Sequence, residues 1–199
     1  MTGLRARLAR LRTEEAGFSL VELLVASLLF VLVGSVIAGI FIATLTVQQT
    51  VSGVSSSTSN AQAAAQNIDT GIRNAWGFTV TPNGSDQLLV ARVAGTGATL
   101  TWSCRAWYYS ASAGTIRTYT GPQGTVIAAP TASALATWTL LTGNVTPRTG
   151  TTIFTNVDNV TLTTAYDVTG AGKKVAIQLS SSRPIGVTTT TLSASERCY

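Results

Sequence analysis

Gly17-Phe18-Ser19-Leu20-Val21-Glu22-Leu23-Leu24-Val25 opens an apolar run that continues with almost no polar interruption to Leu45. No charge occurs between Glu22 and Asp69. A bilayer-spanning helix needs about 20 apolar residues, so this run is long enough to cross, with one carboxylate at its head. A carboxylate in such a segment costs on the order of 2.5–3.5 kcal/mol near the membrane centre and less toward the edge. Glu22 is therefore a candidate functional residue by default. An ordinary secretory signal has an apolar core of about 7–15 residues followed directly by a small-residue cleavage site. Here the run is longer, and the nearest small-residue site, around Asn60 to Ala63, lies far beyond it. A plain signal-anchor helix fits the length but gives no reason for Glu22 or for a Gly-Phe boundary before the span.

Those features resemble the type IV pilin and pseudopilin family: a short basic leader, Gly17, Phe18 as first mature residue, Glu22 as the fifth, and a long hydrophobic helix. The resemblance covers about 30 residues and implies a set of expectations. A prepilin peptidase in the cytoplasmic membrane would cut between Gly17 and Phe18 and methylate the Phe18 amine. Glu22 would set the register of assembly. The partners implied are other pilins or pseudopilins through helix packing, an inner-membrane assembly platform, and membrane lipid before assembly. The fold implied is α+β and pilin-like: a long transmembrane and filament-core helix packed on a C-terminal antiparallel β-sheet domain. The expected division is a leader over residues 1–17, a helix over 18–75 with 18–45 in the membrane, and an exported β-rich domain over 76–199.

Composition supports an exported β domain. Thr, Ser, Gly and Ala dominate the 199 residues, and charged residues make up only 11%; a disordered tail would need high net charge. Of the formal +5, the leader arginines Arg5, Arg7, Arg10 and Arg12 against Glu14 and Glu15 account for two charges. The rest is too weak to imply nucleic acid by itself. Basic residues beside a first span stay cytoplasmic, which places the C-terminal part outside. The expected location is the cytoplasmic membrane and then a surface filament. Cys104 and Cys198 then lie where disulfides persist. One intramolecular bridge is the simplest reading, two free thiols or a link between subunits being the alternatives.

Along the helix, Gly34/Ala38 and Ser35/Gly39 have the small-xxx-small spacing that lets helices approach closely. Beyond Thr46 the composition turns to Gln, Ser, Thr and Ala. Val47, Val51 and Val54, then Ala61, Ala64, Ala65 and Ile68, keep a helical spacing. Gly53 and Ser55 to Ser57 suggest a kink or short break. Asp69 and Arg73 form an i,i+4 pair, and with Ala75 they are similar to a pattern in the larger W-type and J-type minor pilins.

After Trp76 the signals are those of strands: residues 87–94, 99–109 with Cys104 on a central strand, and 115–119. Residues 121–150 read as loops with one strand near 136–141. A hairpin follows, with Val160, Leu162, Thr164 and Tyr166 alternating, a turn over residues 169–172, and Val175, Ile177 and Leu179 alternating back. The tail is expected to add an edge strand before Cys198.

The absence of histidine removes His-based triads, His metal ligands and the usual general base. The acids show no paired catalytic spacing, so the expectation is a non-enzyme with no metal and no cofactor. A calcium site from Asp158, Asn159 and Asp167 is the weak alternative to solvated turn residues. Trp102, Trp107, Tyr108 and Tyr109 are either core or a stacking platform for single strands; core packing is the favoured reading. The function the resemblance implies is a minor pilin or pseudopilin, with a filament-tip binding module for DNA or surface adhesion as the alternative.

Overall fold

The computed structural model describes residues 19–95, 97, 99–157, 161–182 and 193–199. The Gly17–Phe18 boundary, Asp158, Asn159, Val160 and most of the tail after Pro184 lie outside the described residues. The chain divides into two compact units at Gln48/Gln49. One helix, α1 (Leu20–Arg73), carries residues of both.

In the first unit, α1 is apolar on every face, and every side chain from Ser19 to Gln48 is exposed. The helix is long and apolar enough to cross a membrane. Glu22 lies in its first turn, where a carboxylate complements the positive end of the helix dipole.

In the second unit, α1 carries a stripe of buried Ala61, Ala64, Ile68, Gly71 and Ile72. This is the 3.6-residue period of a helix with one face on a core. Val47 and Val51, expected on that stripe, remain 61% and 62% exposed. The expected break at Gly53 is absent. Gly53 is instead a contact: a Cβ there would stand 2.6 Å from the Ala171 Cβ. Gly71 likewise faces the Trp107 ring with no room for a side chain. These glycines, which cost about 1 kcal/mol each in helix propensity, are kept where a strand or ring presses on the helix.

Among the described residues nine strands follow: β1 (Ala75–Asn83), β2 (Asp86–Ala94), β3 (Trp102–Ser110), β4 (Thr115–Pro122), β5 (Thr139–Thr142), β6 (Val145–Pro147), β7 (Phe154–Asn156), β8 (Thr161–Gly170) and β9 (Lys173–Ser182). A five-residue helix, α2 (Ala132–Ala136), capped by the Thr131 hydroxyl, precedes β5. Strands β1 to β5 form an antiparallel sheet in sequence order. In the second sheet β9 runs along the full length of β8, and β6 and β7 divide β8's other edge. The long antiparallel helix-plus-sheet arrangement is α+β.

The hairpin β8–β9 turns through Ala171 (φ 49°) and Gly172 (φ 75°). Positive φ at both central residues is the turn whose twist matches paired strands. Residues 121–150 hold more order than expected: the short helix α2, then β5 and β6. The Thr-rich stretch on which an edge strand is expected lies outside the described residues, and the last described stretch holds a 3-10 turn, Ala194–Glu196.

Both faces of β3 are buried. Trp107 and Tyr109 join Ile68, Ile72, Leu89, Phe154 and Tyr166 in the larger core, between α1 and the two sheets. Cys104, Ala106 and Tyr108 point to a second cluster with Leu88, Val90, Ile127, Trp138 and Cys198. Tyr108, Tyr109 and Trp107 are therefore core.

Candidate functional site

Glu22 and the apolar surface around it are the first candidate. Hydroxyls in this stretch are turned back on their own backbone: Ser27 to Leu24 O (2.9 Å), Ser35 to Leu32 O (2.8 Å), Thr44 to Ile40 O (2.9 Å) and Thr46 to Ile42 O (3.0 Å). A polar group without a partner costs several kcal/mol in hydrocarbon, so this habit suits a helix in apolar surroundings. A Cβ at Gly34 or Gly39 would have nothing within 4 Å. The small-residue faces are thus open within the chain. Among the described residues no cation pairs with Glu22.

The second candidate is the tail. Cys104 and Cys198 are joined, with Cα atoms 5.3 Å apart across a sequence separation of 94. A loop of this size gives about 4–5 kcal/mol in the chain-entropy account and often less in practice. The bond is reinforced by Ile127 N donating to Cys198 O (3.0 Å). Nearby, Arg92 donates to Glu196 (3.1 Å) while its guanidinium lies over the Trp102 ring at 4.5 Å and the Trp76 ring at 5.8 Å. Hydrogen bonds from the Ser193 hydroxyl and backbone N–H, and then the Arg92 charge, hold the Glu196 carboxyl below its ordinary pKa. Of the four aromatics weighed as a nucleic-acid platform, Trp107, Tyr108 and Tyr109 are buried and Trp102 is covered by Arg92. Trp102 alone of the four is partly exposed.

Where α1 crosses the sheets, polar pins fix it. Trp107 Nε1 donates to Asn67 (2.9 Å), and Tyr166 donates its phenol proton to Ala61 O (3.1 Å). Ser181 donates to Asp69, which also accepts twice from Arg73 Nε (2.8 and 2.9 Å). The Asp69–Arg73 pair read from the sequence is formed; its link to Ser181, 112 residues on, left no local signal.

Asp167 lies 4.0 Å from Arg148. Among the described residues no group of three or more His, Cys, Asp or Glu side chains is placed to hold a metal ion. Lys173 and Lys174 are exposed at the start of β9. Sequence reasoning gave Arg105 no role, and it lies half-buried against the Trp107 ring at 5.4 Å.

Comparison with protein-family models, with curated proteins and with solved structures gives no match.

Proposed function

We propose that this chain is a minor pilin or pseudopilin, a non-enzymatic subunit of a type IV pilus or a secretion filament. One observation carries the reading: an apolar helical surface, exposed all round from Leu20 to Val47, holds a single carboxylate at its head. Eighteen large apolar side chains lie exposed on that stretch. Each gains about 1.5–3 kcal/mol on burial, so the surface needs lipid first and other helices afterwards. Processing between Gly17 and Phe18 would free an amine one helical turn before Glu22. In an apolar filament core neither charge can stay unpaired cheaply. Pairing Glu22 of one subunit with the Phe18 amine of a neighbour neutralises both and fixes the axial register of the incoming helix. The chain exceeds what a compact major pilin needs, which favours a minor role.

The test combines intact mass with co-purification. The mature wild-type protein should lack residues 1–17 and carry one methyl group on Phe18. Glu22→Ala should be processed and inserted in the membrane but lose at least about tenfold in recovery with partner subunits, the scale of one unpaired buried charge. Retention of residues 1–17 in the wild type, or wild-type recovery of Glu22→Ala, would sink the reading.

A further inference from the structure

Arg105 lines a cleft of about 190 Å³ at the C-terminal end of α1. Thr70 and Asn74 from the helix end, Ser103 from β3 and Thr120 from β4 also line it. Arg105 and Thr120 are register partners on neighbouring strands, so their side chains share one face of the sheet. The walls are fixed: Ala94 N donates to Asn74 O (3.0 Å) and Gly95 N to Thr101 O (2.7 Å).

The guanidinium is underused. Its Nε is buried with no hydrogen-bond partner. Among the described residues no carboxylate or other acceptor pairs with it, and it lies over the Trp107 ring at 5.4 Å. Burial lowers its pKa from the ordinary value, since desolvation disfavours the charged form. A buried donor left unmade costs about 1–3 kcal/mol, more when charged. Three acids of the described residues are engaged elsewhere. Asp69 holds Arg73 and Ser181, Asp86 holds Tyr108 and the Ala111 N–H, and Glu196 holds Arg92.

We propose that this cleft is a binding site for a single carboxylate from outside the chain, held by the Arg105 fork and the hydroxyls of its rim. Arginine and carboxylate match in planar, bidentate geometry. The charge count selects a monoanion. Arg105 is the one cation among the described lining residues. The helix C-terminus opposes an anion with a partial charge of about −0.5, so a second negative charge has nothing to neutralise it. The same opposition makes the site weak. Its carboxylate comes either from a small solute or from an acidic side chain of a neighbouring protein. This inference does not depend on the filament reading.

The experiment uses the full chain in detergent micelles, labelled with ¹⁵N-arginine, the Arg105 Nε–H signal being assigned by its loss in Arg105→Gln. Acetate is titrated against chloride at constant ionic strength. The expected result is a saturable shift at Arg105, half-complete in the millimolar range. Arg117, which donates to Trp138 O (2.9 Å), should not saturate. Blocked aspartate, N-acetylated and C-amidated, is the second probe. Saturation by acetate alone identifies a small solute; saturation by both identifies a site open to a protein side chain. Shifts that stay linear, or that Arg105 and Arg117 share equally, overturn the proposal. Inorganic phosphate binding tighter than acetate overturns the assignment to a monoanion.

Discussion

Two lengths of one helix behave in opposite ways. Up to Gln48, α1 is rich in Leu, Val, Ile and Phe, and none of these side chains is buried. From Gln49 to Arg73 it is rich in Ala, Ser, Thr and Gln, yet there Ala61, Ala64, Ile68, Gly71 and Ile72 are buried. Apolar size therefore does not foretell burial within the chain. What decides it is whether a complementary surface exists in the same molecule. The second length has one because its small residues let Trp107 and the β8–β9 turn come close. The first has large side chains on all sides, and within this chain they stay exposed.

The sharpest way to break this contrast is to cut equivalent bulk from each length's surroundings. Trp107→Ala removes a fully buried ring from under α1 and leaves the Asn67 amide without its donor. It should cost about 3–5 kcal/mol. Phe30→Ala removes an 80% exposed ring and should change stability by less than about 0.5 kcal/mol. Denaturant unfolding of the two full-length variants in detergent micelles, followed by tryptophan fluorescence, measures both. Equal costs would mean that the first length is packed within the chain after all.

The contrast also explains what could be read in advance. The apolar run, the Asp69–Arg73 pair and the β8–β9 hairpin depend on spacings of a few residues, and periodicity carries those. The disulfide was legible as the simplest of three options, because only two cysteines exist. Gly53 and Gly71 were not legible. A helix breaker and a helix contact use the same residue, and the difference lies in Ala171 and Trp107, far along the chain. Arg105 was lost for a related reason. Strand alternation sorts Cys104 and Arg105 onto opposite faces, and it tells inside from outside only if one face of the sheet is wet. Here the tail covers one face and α1 the other, so both sets are enclosed. Between Gly121 and Gly150 the strands are three or four residues long, too short for any period to show.

Alkaline pH should act on the second length alone. Tyr166 is fully buried, and burial pushes its pKa up to about 12 while its phenol donates to Ala61 O. The unfolded chain has the ordinary tyrosine value near 10. Between those values the unfolded state has released a proton that the folded state still holds, so stability falls as pH rises. The contribution is fully present below about pH 10 and is lost by about pH 12, on the order of 2–3 kcal/mol. Tyr166→Phe should flatten this alkaline loss when unfolding is measured between pH 9 and 11.5. An unchanged slope would place the titration on Tyr108 or Tyr109, whose pKa values are also raised.

The smallest effect separates two roles of one carboxylate at the end of the second length. Asp69 accepts from Arg73 Nε along the helix and from the Ser181 hydroxyl across to β9. Arg73 is largely exposed, with 61% of its side chain open to solvent, and an exposed i,i+4 pair is worth about 0.3–0.5 kcal/mol. Ser181 is fully buried, so its hydroxyl costs about 1–3 kcal/mol if left without an acceptor. Asp69→Asn keeps an oxygen for Ser181 and removes the charge opposite Arg73. Asp69→Ala removes both. Asp69→Asn should therefore lower stability by about 0.5 kcal/mol or less, with the loss fading in high salt. Asp69→Ala should lower it by about 1–2 kcal/mol beyond that, with little salt dependence. Replacing Ser181 by alanine in the Asp69→Ala background should recover most of the difference, because no buried hydroxyl is then left unpaired. If Asp69→Asn and Asp69→Ala cost the same and both losses vanish in salt, the ion pair carries the whole effect and the helix end is not pinned to β9 through Ser181.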